Sequence, residues 1–147
     1  MTDDARRPRR PGVNVAASGG ESLALDQAFD GDSLYALRAA VAAHGSQAGL
    51  SEGRTRDLVL AVHELAANAV RHGAGQGRLR LWAAHDAVRC EITDEGAPGE
   101  ADAADAARWQ AEPGHGLWLV RRIADSASVQ SGASGTVAAV IFRRVRS

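Results

Sequence analysis

The stretch Glu64-Leu65-Ala66-Ala67-Asn68-Ala69-Val70-Arg71-His72-Gly73 decides how the chain is read. It closes a run in which Leu58, Val62, Leu65 and Ala69 step by four, three and four residues, the spacing of one buried stripe on an α-helix. Ser51 stands where an N-cap would start that helix, Gly73 where it would stop, and Gly75 and Gly77 make a flexible exit. Glu64, Asn68 and His72 follow at i, i+4 and i+8 and form one polar row beside the stripe. A carboxylate and a carboxamide oxygen one turn apart can share a hard cation, or set a cation beside a proton acceptor. Taken alone, the row reads as well as a solvated helix edge.

Working outward, Leu23, Leu25 and Phe29 alternate with polar or small residues as in a strand. Asp30 or Asp32 then caps a helix through about His44, with Leu34, Leu37 and Val41 on one face, ended by Gly45 and Gly49. On the other side of the central helix, a hairpin is expected from strands near 78–83 and 88–93, with His85-Asp86 in the turn. Val88, Cys90 and Ile92 share the face turned to the core, and Arg89, Glu91 and Thr93 the other. The span Asp94 to Glu112 holds six acids against the single base Arg108, a net of −5. It reads as a long loop, and loops of that length are commonly lids or binding loops. A helix near 117–124, with Trp118 expected to pack inward more readily than to cover a ligand or face a partner, and two strands flanking Ser131-Gly132-Ala133-Ser134-Gly135 complete the chain.

At 147 residues, 45% hydrophobic and 24% charged, the chain has an ordinary globular balance and a length that favours one domain. Residues 1–20, with Arg6, Arg7, Arg9 and Arg10 among prolines and glycines, read as a disordered tail, and 21–147 as the folded domain. No apolar run approaches the ~20 residues of a membrane span, and no secretory h-region opens the chain, so a cytoplasmic location is expected. The lone Cys90 excludes an internal disulfide and any multi-cysteine metal site. A net charge of −1 and a short basic tail give little support to nucleic-acid binding. All 17 basic residues are arginine, which removes a Walker A loop, a Schiff-base amine and a protein-kinase strand lysine at once.

Two more islands join the first. Asp94-Glu95-Gly96-Ala97-Pro98-Gly99 follows a strand directly, where a carboxylate can accept from an exocyclic amine while glycine lets a ring lie close. Gly114-His115-Gly116-Leu117 opens a helix, where backbone N–H groups and the helix dipole favour phosphate oxygens. Each is weak alone, but their order and spacing are a composite that unrelated chains should seldom reproduce. The composite resembles the three sequence boxes of the GHKL ATPase superfamily, over about residues 22–144. Within it, the chain looks most like the small anti-sigma-factor serine/threonine protein kinases of bacterial partner-switching systems.

That resemblance implies an α+β two-layer sandwich, a mixed, mostly antiparallel sheet packed on helices. It implies ATP and Mg2+ as ligands, with Asn68 on the metal and Glu64 as the catalytic base. Asp94 would accept from the adenine amino group, with Gly96 beneath the ring and Thr136 adding a polar contact. Gly114, His115, Gly116 and Leu117 would hold phosphates, and His72, like Arg71, could approach one. The implied partners are a sigma factor and an anti-anti-sigma (STAS) protein, with homodimer pairing suggested through the sheet and first helix. The acidic loop would repel a triphosphate, so a non-catalytic, nucleotide-dependent binding module that sequesters its partner stands as the alternative. A detached histidine-kinase catalytic domain is disfavoured, since only one strand and one helix precede the central helix.

Overall fold

Ser51 Oγ accepts the amide proton of Arg54 at 3.1 Å and starts the longest helix among the described residues. The computed structural model describes residues 20–72, 75–94, 116–132 and 135–145; the expected tail up to Gly19 and most of the acidic loop lie outside these. Strand β1 (Ser22–Asp30) leads through a single 3-10 turn into α1 (Leu34–Gln47), then α2 (Glu52–His72). Strands β2 (Gln76–Ala83) and β3 (Ala87–Asp94), helix α3 (Gly116–Ile123), and strands β4 (Ser126–Gly132) and β5 (Gly135–Arg143) follow. The five strands form one sheet in the order β1-β2-β3-β5-β4. All four pairings are antiparallel, where some parallel pairing was expected.

Asp30 is the cap, and it works reciprocally: its Oδ1 accepts from Asp32 and Ser33 amides while Ser33 Oγ accepts from its own. Gly45 does not end α1 as expected. It lies inside the helix, buried, and a β-carbon there would sit 3.0 Å from Leu58 Cδ2, so glycine serves the close approach of α1 and α2. The chain turns instead at Gly49, whose φ of 98° lies in the left-handed region.

Between the layers, the α2 stripe of Leu58, Val62, Leu65 and Ala69 meets Leu79 and Leu81 of β2, Val88, Cys90 and Ile92 of β3, and Ala138, Val140 and Phe142 of β5. Each fully buried Leu, Ile or Phe contributes about 1.5–3 kcal/mol. Cys90 belongs to this core, and burial pushes its thiol up, against a smaller opposing effect of Arg89, so it stays protonated and chemically quiet.

The outer sheet face carries charge that the alternation anticipated and burial that it did not. Arg89 and Glu91 are both buried. Arg89 makes a forked pair with Glu21 at 2.9 and 3.1 Å and stacks on Trp82, directly across the ladder, with its guanidinium carbon 3.9 Å from the ring centre. Nearby, Arg78 and Arg80 reach Asp26 at 2.6 and 3.4 Å. Burial pushes the Asp26 carboxyl up, but the Arg78 hydrogen bond and the Arg80 and Arg78 charges outweigh it and hold the carboxyl below its usual range.

At one end of the sandwich, Arg54 ties the layers. Its guanidinium, buried over the Phe142 ring at 4.9 Å, pairs with Asp125 and points at the carbonyls of Ile123 and Arg143, each at 3.4 Å. Asp125 also accepts from the Arg143 amide at 2.8 Å. One side chain thus joins the start of α2, the end of α3 and the end of β5.

Two outcomes follow. Arg54→Met leaves Asp125 without its guanidinium and should cost about 3 kcal/mol in urea unfolding; a loss below about 1 kcal/mol would show that the tie is idle. Because Asp26 is depressed in the folded state, its contribution is present above its unfolded pKa and lost as pH falls through the folded value. The stability advantage of wild type over Asp26→Asn should therefore shrink between about pH 5 and pH 3, and a pH-independent gap would remove the carboxylate from this role.

Candidate functional site

The Arg54 tie fixes where the polar row ends up. From Arg54 to Asn68 helix α2 rises about 21 Å, and from Arg143 to Thr136 strand β5 runs about 23 Å, so both reach the opposite end of the sandwich. A β-carbon built on Gly31 would lie 3.7 Å from Val70 Cγ1, which puts the last turns of α2 beside the exit of β1. There Phe29 pairs with Gly77, Arg78 with Thr93, and Asp94 with Thr136, which in turn faces Ser131. Helix α3 ends at Arg54, so it runs against α2 and its start, Gly116, points toward this same end.

Several expected residues therefore share one end of the molecule. Asn68 is 1% exposed, and Asp94, the last residue of β3, 9%. Asp94 follows the alternation of Ile92 and so faces the helical layer, with Thr136 beside it; the Thr136 and Ser131 hydroxyls are 3.2 Å apart. Glu64 and His72 are half-buried on α2. Leu117 is buried in the core with Val120, so only its backbone could meet a ligand. Gly96, Gly114 and His115 lie outside the described residues.

Asn68 holds the most informative atoms. Its Oδ1 accepts from Arg71 Nη1 at 3.0 Å. Its Nδ2 is buried and has no hydrogen-bond partner among the described residues. A buried amide donor left unmade costs roughly 1–3 kcal/mol, and native structures keep few such groups. Asn68 is thus a polar side chain whose surroundings do not complete it.

Glycine at position 77 serves Asp94 from the neighbouring strand. A β-carbon there would lie 2.7 Å from both Phe29 Cζ and the Thr93 carbonyl oxygen, so only glycine lets β1, β2 and β3 close up where Asp94 emerges. Among the described residues no group of three or more His, Cys, Asp and Glu gathers as a metal cage. A cation held by Asn68 would draw its other ligands from phosphate and water, the usual habit of Mg2+. A separate groove of about 660 Å³ runs along the first turns of α2 against α1, lined by Arg38, Thr55, Leu60 and His63 among others. It contains none of the residues of the polar row.

Three features escaped the sequence reading. Trp118 is 40% exposed, with the Arg122 guanidinium 5.2 Å from its ring centre, instead of packing inward. Ser131 joins Thr136, which the pairing across the closing hairpin could have given. The Arg71 bond to Asn68 is an i, i+3 helix contact that spacing allows but does not single out.

The profile of the histidine kinase-like ATPase domain matches residues 28–142. The chain belongs to that family. Membership implies ATP binding, and the residues are compatible with it: a buried carboxamide whose Oδ1 is held only by an exposed arginine, a carboxylate at a strand end for a base, and a helix start aimed at the same end. The crystal structure of the RsbU and RsbW domains of Rv1364c from Mycobacterium tuberculosis is similar in fold, with a TM-score of 0.58 and 18% identity over 82% of this chain. The chain covers 32% of that one. No curated protein matches the chain by sequence. No described helix of the ATPase domain is long and apolar enough to cross a membrane.

If Asn68 is kept for a ligand at the expense of the fold, Asn68→Ala should change the unfolding free energy by less than about 1 kcal/mol despite removing a buried polar residue. A loss above about 2 kcal/mol in urea unfolding would make Asn68 a structural residue.

Proposed function

We propose that this ATPase domain is an anti-sigma regulatory factor that binds Mg-ATP and phosphorylates a serine or threonine of an anti-anti-sigma (STAS) partner. The observation that carries the reading is the gathering of Asn68, Asp94, Thr136 and the start of α3 at one end of the sandwich, with Asn68 buried there and its Oδ1 held by the exposed Arg71. The likeness to a structure containing an RsbW domain supports the partner-switching branch.

In this reading Asp94 accepts from the exocyclic amine of the purine, and Thr136 adds a polar contact beside it. The backbone amides from Gly114 to Leu117 donate to phosphate oxygens, and His72, at the end of α2, approaches one. Asn68 Oδ1 holds Mg2+, which when bound neutralises phosphate charge that a lysine-free chain cannot offset with an amine. Glu64, one turn before Asn68, orients the partner's hydroxyl and takes its proton as that oxygen bonds to the γ-phosphorus and ADP leaves. Positioning and charge neutralisation supply most of the rate in such transfers. The protein would act in the cytoplasm, sequestering a sigma factor until its partner is unmodified.

The −5 charge between Asp94 and Glu112 favours a second reading, in which nucleotide sets the conformation of a sequestering module without transfer. Two measurements separate them. Asp94→Ala should abolish preference for adenine over guanine nucleotides in equilibrium binding. Glu64→Gln should keep nucleotide affinity within about threefold while labelled γ-phosphate transfer to the partner falls at least about 100-fold. Binding without transfer by wild type, with the partner present, would select the module; no nucleotide binding at all would end both readings.

A further inference from the structure

We propose that Arg71 competes with the divalent cation for Asn68, so that the protein carries an internal cation at its own metal ligand and sets its magnesium requirement with it. The inference rests on the reading that Asn68 Oδ1 meets Mg2+.

Arginine has donors and no acceptor, so the atom facing Arg71 Nη1 at 3.0 Å is the carboxamide oxygen. That contact fixes the orientation of the amide: Oδ1 points to the guanidinium and Nδ2 into the protein, where it has no partner among the described residues. The oxygen that a hard cation would take is therefore already engaged by a positive charge. A guanidinium and Mg2+ on one oxygen repel each other, so one must leave. Arg71 is the group able to leave. It is exposed, it stands in the last turn of α2, and the helix C-terminus favours a cation on its end carbonyls as an alternative resting place. Asn68 is 1% exposed and cannot follow it.

Removing the competitor should tighten metal binding, whereas removing a residue that merely orients Asn68 should weaken it. The test is equilibrium binding of a fluorescent ATP analogue to the full chain, titrated with MgCl2, in wild type, Arg71→Met and Arg78→Met. Arg78 is a charge control, since it pairs with Asp26 on the outer sheet face and does not touch Asn68. In Arg71→Met the half-saturating Mg2+ concentration should fall about three- to tenfold, the range open to a partly exposed charge-assisted hydrogen bond. In Arg78→Met it should stay within about twofold.

An unchanged or raised Mg2+ requirement in Arg71→Met overturns the competition. An equal fall in Arg78→Met also overturns it, by reducing the effect to net charge. Failure of the underlying reading looks different, because wild type would then bind no analogue at any Mg2+ concentration. Circular dichroism of each variant establishes that the titrations report on folded protein, Arg71 being exposed and Arg78 half-buried.

Discussion

Arg54 lies at the end of the molecule where no chemistry is expected, yet the geometry of the other end depends on it. A buried guanidinium that meets Asp125 and approaches two carbonyls fixes α2, α3 and β5 against one another at a single point. Beyond that point the elements diverge only by their own rigid repeat. The far ends of a 21-residue helix and a nine-residue strand then arrive together because their rises are similar over the distance. A site assembled from a helix, a strand end and a second helix start needs such a reference, since none of its residues are neighbours in the chain. Apolar packing supplies cohesion between the layers, but packing alone is tolerant of sliding. A directional ion pair with a shared acceptor is not.

The two buried polar centres of α2 differ in how they are satisfied. Arg54 is surrounded by acceptors, and the Asp125 carboxylate is shared with a backbone amide. Asn68, four turns later, keeps one donor without a partner among the described residues and lends its oxygen to an exposed arginine. A completed network rigidifies its surroundings, while an incomplete one is tolerated only where something is gained by it. Thr55 Oγ1 and His63 Nδ1 on the same helix are also buried without a hydrogen-bond partner among the described residues, so the contrast agrees with a ligand at the C-terminal half of α2 and does not by itself locate one.

Much of this was legible in the sequence because period and burial agree in it. The stripe Leu58, Val62, Leu65, Ala69 is buried as its spacing demands, and Val88, Cys90 and Ile92 face the core as alternation demands. The polar row of Glu64, Asn68 and His72 follows from the same helix geometry. What failed depends on shape between elements. Gly45 looked like a helix stop, but its hydrogen atom is there to admit Leu58. Arg89 and Glu91 alternate as solvent-facing residues and are buried nonetheless, Arg89 being covered by Trp82 and Glu21 from other segments. Trp118 sits on a short helix whose inner face is already filled by Leu117 and Val120. Periodicity records which face a side chain takes, and it is silent on what crosses that face.

The absence of lysine gives these observations a common basis. Arginine stays charged when buried and binds through a planar fork, so a chain limited to it can place cations inside the fold, as at Arg54 and Arg89. It cannot offer the compact ammonium that other nucleotide-binding folds aim at phosphate. Among the described residues of α2's last turn, the basic groups are Arg71 and His72, and the segment that follows Asp94 adds strong negative charge. Under those conditions the cation that matters for a triphosphate has to be imported. On the proposed reading, the neutral Asn68 carboxamide would receive it through Oδ1. On that same reading, the exposed guanidinium three residues away, which holds that oxygen at 3.0 Å, would yield it to a cation arriving with its own phosphate ligands.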